Sequence, residues 1–353
     1  MKKLASLFAA LVLMLALAAP GAAAAVQPET GRIYLYGETH ADPACLEQEL
    51  AAWDGYYHEL GMRDLLIEVP SYTAQFMNLW MKAEDDAILS RLFEDWEGTA
   101  MHDQGVWDFY KSIKEQCPET VFHGFDVGHQ YNTTGTRYLI GLALTGQMGS
   151  ADWDETQQTI EQGKQYYQTG DDVYRENIMA ENLARIFESL PMGASVMVIT
   201  GSAHSNLYAM DYNTGTVPCM AGQLRQQYGA ALQARNLSDG IDYTRAGDTQ
   251  LVRLAGTDYT AVCLGEQDLS SRLPGYQSRT FWLVEGAYEA ACALPATGEF
   301  LPYDNYLNPV EEGQVYRVDY LLADGSAESR YYRADGTLWQ GQPATAGFAP
   351  ESV

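Results

Sequence analysis

Apolar positions along this chain fall into two alternating textures. Short β-branched and aromatic runs lie at residues 32–36, 64–68, 120–126 and 195–200, and each reads as a buried strand. Between them the apolar residues recur at helical spacing, over 44–60, 73–96 and 105–116, the last stopping before Pro118. The strongest helical pattern covers 173–190, with Met179, Leu183, Ile186, Phe187 and Leu190 on one face. Asp171 or Asp172 is placed to cap its start, and Pro191-Met192-Gly193 ends it. Strands that alternate with helices predict parallel βαβ units. The expected fold class is therefore α/β, with a mainly parallel sheet flanked by helices.

Two stretches depart from this rhythm. Residues 141–170 are rich in Gln, Gly and Thr with weak periodicity, and read as either a long excursion or a mobile lid. After about residue 275 the pattern becomes two-residue alternation, as in Val315-Tyr316-Arg317-Val318-Asp319-Tyr320, punctuated by Asp324-Gly325 and Asp335-Gly336 turns. This predicts a small antiparallel β appendage over 276–341 and a flexible tail over 342–353. The main α/β domain is expected over 26–275. Residues 1–25 read as a secretory signal, with Lys2 and Lys3, an apolar run and a small-residue cleavage zone. That run is too short for a confident membrane span and nothing later approaches one, so the mature chain is expected to be exported, soluble and extracytoplasmic.

Composition narrows the partners. A formal net charge of −26 argues against nucleic acid and against anionic lipid surfaces, and leaves a small-molecule substrate as the expected partner. The five cysteines show no C-x-x-C and no zinc spacing, and an odd number leaves at least one thiol free.

Chemistry gathers where the strands end. The first runs into Gly37-Glu38-Thr39-His40, the second ends at Glu68, and the third ends in His123-Gly124-Phe125-Asp126 with His129 beyond. The fourth leads into Gly201-Ser202-Ala203-His204. Carboxyl ends of parallel strands share one edge of a sheet, so these groups are expected in one cleft. A His held by a carboxylate can take a proton from water, a second His can protonate a leaving group, and a fixed Arg can stabilise an oxyanion. Arg175 sits in a helix's first turn, where a cation is disfavoured. It is either compensated by Asp171 and Asp172 or reaches towards Glu68 or a substrate anion. No G-x-S-x-G, H-E-x-x-H, P-loop or dinucleotide fingerprint is present. The same His and carboxylate set is also of a kind that binds a divalent metal.

Taken in order, these motifs resemble the erythromycin esterase family and its wider relatives, the ChaN haem-binding lipoproteins and the Tiki/TraB metalloproteases. The resemblance rests on Gly37-Glu38-Thr39-His40, Glu68, Gly124-Phe125-Asp126, the stretch from Tyr174 to Asn182, and the turn from Gly201 to His204. It continues through Cys219 to Leu224 and Tyr228-Gly229, covering roughly residues 31–240. It implies an esterase-like hydrolase without a Ser nucleophile, with His40 as the water-activating base and Glu68 as an essential carboxylate. His204, Glu38 and Arg175 would complete the catalytic set, and Asp126 and His129 would contact substrate. No cofactor is expected on this reading. The alternatives are a ChaN-like haem- or metal-binding protein and a Tiki-like metal-dependent hydrolase with His40, Glu68 and His204 as ligands. Two departures bear on substrate: Gly201 stands where the esterases usually carry a histidine, and the leader is foreign to resistance esterases.

Overall fold

A computed structural model describes residues 31–350, so the leader read at 1–25 lies outside the described residues. The chain opens with β1 (Ile33–Glu38), α1 (Pro43–Glu59), β2 (Asp64–Ile67), α2 (Ser71–Met81), α3 (Ala87–Asp95), α4 (Gln104–Gln116) and β3 (Val121–Gly124). It continues through α5 (Thr136–Leu144), α6 (Ala151–Thr169), α7 (Asp172–Ser189) and β4 (Val196–Gly201) to α8 (Met220–Tyr228) and β5 (Leu232–Asn236). Beyond these the described chain is almost all strand: β6 (Ile241–Asp242), β7 (Thr249–Leu254), β8 (Thr257–Asp268) and β9 (Tyr276–Val284), then a short α9 (Tyr288–Ala293). β10 (Ala296–Pro302), β11 (Val315–Leu322), β12 (Ala327–Arg333), β13 (Leu338–Trp339) and β14 (Gln342–Phe348) complete it.

One mixed sheet joins these strands, in the order β10-β14-β12-β11-β9-β8-β6-β5-β1-β4-β2-β3, with β7 on β8 and β13 on β14. The stretch β3-β2-β4-β1-β5 is parallel throughout. From β6 outward every pairing is antiparallel. The sheet is thus mixed and mostly antiparallel, which corrects the expectation of a mainly parallel one. The expected small appendage is the far half of the same sheet, and its first strands precede residue 275. Residues 342–348, expected as part of a flexible tail, form β14 between β12 and β10. Ala344, Thr345, Ala346 and Phe348 of that strand are buried, a small-residue pattern with little hydrophobic signal.

Strand alternation in the parallel half feeds two cores. Ile33, Leu35, Val196 and Val198 face Met179, Leu183, Ile186, Met220 and Leu224 of α7 and α8, in a cluster that runs on to Phe281, Tyr316 and Val318. Tyr36, Leu65, Ile67, Met197 and Ile199 face Trp53, Met77, Trp80, Leu92 and Ile113 of α1 to α4. Fully buried side chains of this kind each contribute about 1.5–3 kcal/mol, so both layers hold the parallel strand ends rigidly. The helix expected over 73–96 is two, α2 and α3. Asp86 accepts from the Trp80 indole and from Lys111, while Lys114 donates to the Trp80 and Ala83 carbonyls that end α2. Residues 141–170 are mostly helix: they hold the end of α5 and all of α6, which Ser150 caps through its hydroxyl to the Trp153 amide. The buried positions of α6 are Thr156, Thr159, Ile160, Gln162 and Gly163, so its inward face carries almost no hydrophobic periodicity.

Candidate functional site

The sheet order brings the sequence motifs together along one edge. Reading β3-β2-β4-β1, the strands are followed or ended by Asp126, Glu68, the Gly201 to His204 turn, and Glu38 with His40. Register sets the fine placement: Glu38 pairs opposite Gly201, and Ile67 opposite Ile199, so Glu68 falls beside Thr200 and Gly201. Gly37 is required by packing, since a Cβ there would lie 2.0 Å from the Ser205 hydroxyl. After His40 the chain turns through Ala41 at φ 62° into α1, where Asp42 caps the Ala44 and Cys45 amides.

His40 Nδ1 is hydrogen bonded to Glu38 Oε1 at 2.7 Å, which leaves Nε2 as the nitrogen facing the cleft. The bond to Glu38 raises the imidazole above its ordinary value and outweighs the effect of burial. Gly201 supplies the space for this ring: a Cβ there would lie 3.2 Å from His40 Nε2 and 3.5 Å from Glu68 Oε2. The glycine that departs from the esterase pattern therefore leaves His40 and Glu68 room to face each other.

Arg175 is the hub. Its Nε and Nη2 hold Asp126 in a fork at 3.0 and 2.7 Å, and Nη2 also donates to Glu68 Oε1 at 2.7 Å. The other oxygen of Glu68 accepts from the Thr200 hydroxyl at 2.7 Å and the Gly201 amide at 2.6 Å. Burial alone would raise both carboxyls. For Glu68 the nearby His204 and Arg175 win and hold it low, at about 2. For Asp126 the winners are Arg175 and His129. Arg175 thus compensates two buried acids, the second of the two readings its position allowed.

His204 bonds Glu176 through Nδ1, and its Nε2 lies 3.5 Å from Arg175 Nη1 and 3.7 Å from Glu68 Oε1. Burial disfavours its charge, but Glu68 and Glu176 outweigh that and raise it. His129 Nε2 bonds Asp126 Oδ2 at 2.8 Å, and its Nδ1 meets the Tyr167 hydroxyl at 2.6 Å. The cleft of about 290 Å³ is lined by His40, Glu68, Asp126, His129, Tyr167 and Arg175, with Val69, Pro70, Trp96 and Met101 as an apolar wall. His204 lines a neighbouring pocket of about 200 Å³ behind Arg175, with Glu176, Asp211 and Tyr212. His123 turns away from the edge and bonds Asp64 at the opening of β2, so it takes no part.

Sequence reasoning passed over Glu176, Thr200, Tyr167 and Glu49. Glu176 and Glu49 carried a signal, an acid on the buried face of a helix. Thr200 and Tyr167 carried none.

The proposed ligand set of His40, Glu68 and His204 does not fit a metal. Both oxygens of Glu68 are engaged by Arg175, Thr200 and Gly201, and His204 Nε2 lies 3.5 Å from Arg175 Nη1, so the charge of the guanidinium opposes a second cation there. Among the described residues, the group of potential ligand atoms within 4.8 Å of one another is Asp54, His58 and Cys117, at the far end of α1. All five cysteines are free thiols, four of them buried.

No family model and no curated protein matches the chain. Among solved structures it is similar to the erythromycin esterase EreC, a mutant in its open conformation, at 11% identity and TM-score 0.44, over 71% of this chain and 82% of that one. It is similar to a succinoglycan biosynthesis protein at 12% identity and TM-score 0.45, over 68% and 72%. It is also similar to ChaN of Campylobacter jejuni, with cofacial haem, at 13% identity and TM-score 0.26, over 50% and 72%. Two of the families named from the motifs are among them. At these identities and TM-scores the likeness decides nothing about chemistry, which rests on the residues themselves.

Proposed function

We propose that this cleft is a hydrolytic site in which His40, oriented by Glu38, activates water against an ester or related bond of a small molecule. The observation that supports it is the Glu38–His40 pair: Nδ1 is engaged, and Nε2 faces a cleft floored by Gly201 and Glu68. Water gives a proton to Nε2 as its oxygen attacks the carbonyl carbon. The same imidazolium then returns that proton to the departing oxygen, so one histidine serves both steps. The oxyanion formed between them falls to the Arg175 guanidinium that lines the cleft. His204, held by Glu176 behind Arg175, acts through the guanidinium and Glu68 rather than at the reacting bond. The apolar wall of Val69, Pro70, Trp96 and Met101 suits a substrate with a hydrophobic face beside its ester. An exported, extracytoplasmic location for this chemistry is part of the proposal.

A panel of alkyl, aryl and lactone esters assayed with wild type and His40→Asn tests it. Loss of base catalysis is expected to cost about 10²- to 10⁴-fold in kcat/KM, with unchanged melting behaviour. A substrate turned over equally by both proteins would remove His40 from the chemistry.

A further inference from the structure

The face of α1 that packs into the core reads Cys45, Glu49, Trp53 and Tyr57, an acid at an apolar position. Glu49 is 1% exposed, and neither of its oxygens has a hydrogen-bond partner in the protein. Glu38 presents the same situation on one side only: Oε1 holds His40, while Oε2 is buried and unpartnered. Both acids line one small cavity of about 30 Å³, beside His40, Glu68 and Tyr110. The ionisable groups that feel the charge of Glu49 are Glu38 from β1, Tyr110 from α4 and Cys45 from its own helix. No cation is among the residues lining the cavity, apart from the His40 imidazole when it is protonated. An ionised Glu49 would thus be desolvated beside a second carboxylate, the arrangement that most strongly favours a retained proton. Burial first, and Glu38 second, push the Glu49 carboxyl up to about 9.

A retained proton makes Glu49 a donor. A cavity of this size admits about one water, which needs two to four polar partners, and three unpartnered carboxyl oxygens supply them. We propose that Glu49 is a positioning residue that keeps its proton and donates a hydrogen bond through it to one bound water, which in turn donates to the free oxygen of Glu38. Glu38 is then held at both ends, by His40 at the cleft and by the Glu49–water pair behind it. The His40 ring is fixed from two residue shells away, through a group that never meets substrate. This deepens the hydrolytic reading, which supplies the role of His40, yet the arrangement itself is independent of turnover.

The test reads the imidazole directly. The ¹⁵N and ¹H shifts of the His40 ring, assigned by their loss in His40→Asn, are followed with pH in wild type, Glu49→Gln and Glu49→Leu. Wild type is expected to show the ring's own inflection and a second, alkaline one as Glu49 ionises. Glu49→Gln keeps a neutral donor, so the first inflection stays and the second disappears. Glu49→Leu removes the donor, leaving Glu38 to hold the shared proton more tightly. The first inflection then moves up by about half a pH unit or more, the scale of one hydrogen bond. A single inflection in wild type, an alkaline inflection that persists in Glu49→Gln, or an unmoved first inflection in Glu49→Leu would each overturn the proposal. Because no ester enters the measurement, it can fail while the hydrolase reading stands, and the reverse.

Discussion

Arg175→Met probes what holds the site together. The substitution keeps most of the side-chain length and removes the charge that Glu68 and Asp126 share. Asp126 is 1% exposed and the Glu68 side chain 10%, so water can replace little of what the guanidinium supplies. Breaking a buried ion pair typically costs about 3–5 kcal/mol, because the surviving charge is left uncompensated. Uptake of a proton by the pair limits that cost. Bringing a carboxyl of ordinary pKa to the neutral form at pH 7 takes about 4 kcal/mol, at 1.36 kcal/mol per pH unit, which falls inside the same range. The sign with pH follows from the depressed carboxyls. In wild type their contribution is present above the unfolded values near 4 and is lost as pH falls through the folded ones. The variant has no such contribution to lose. Urea unfolding at several pH values should therefore show a gap of about 3–5 kcal/mol at pH 7 that narrows as pH falls, first because the variant holds its proton at less cost and then, below about pH 4, because wild type loses its own contribution. A gap under about 1 kcal/mol at pH 7, or one that does not change with pH, would show that Arg175 is not what stabilises the two acids.

Three further outcomes are expected. Glu49→Gln should be more stable than wild type, and the difference should grow with pH. A carboxyl raised from 4.5 to about 9 has its stabilising form fully present below pH 4.5 and loses it on the way up, by about 1.4 kcal/mol per unit. That amounts to as much as about 3 kcal/mol at pH 7, and melting curves with equal pH dependence for the two proteins would contradict it. Chelation and haem titration bear on the alternatives: treatment with EDTA should leave the melting temperature unchanged, and added haem should give no Soret band. Stoichiometric metal lost on chelation together with stability would redirect the mechanism.

The motif turns were legible because their residue types are unusual for their positions. Glu38, His40, Glu68 and His204 stand out at the ends of β-branched runs, and a parallel sheet places such ends together whatever the strand order. Arg175 was legible for the opposite reason, a cation at the wrong end of a helix dipole, and the two buried carboxylates explain it. What escaped was structure built from small or polar residues. α6 turns Thr156, Thr159 and Gly163 inward, and β14 buries two alanines, so neither announces itself by hydropathy. Glu49 escaped although it stands at helical spacing with Cys45, Trp53 and Tyr57, because the reading of that helix followed its apolar residues and passed over the acid among them.

The position of β14 has a consequence for how the sheet is made. It follows every other strand in the described chain, yet it is not an edge: β12 lies on one side and β10 on the other. The outer half of the sheet therefore cannot be assembled in the order in which the chain emerges. β10 has no neighbour until β14 arrives, and β12 keeps one side open for as long. The β10–β14 pairing, which skips over β11 and β12, forms more slowly than a local hairpin, and open edges of this kind are where a growing chain sticks to its copies. A late, small-residue strand thus closes the outer end of the sheet, at the opposite end from the strands that carry His40.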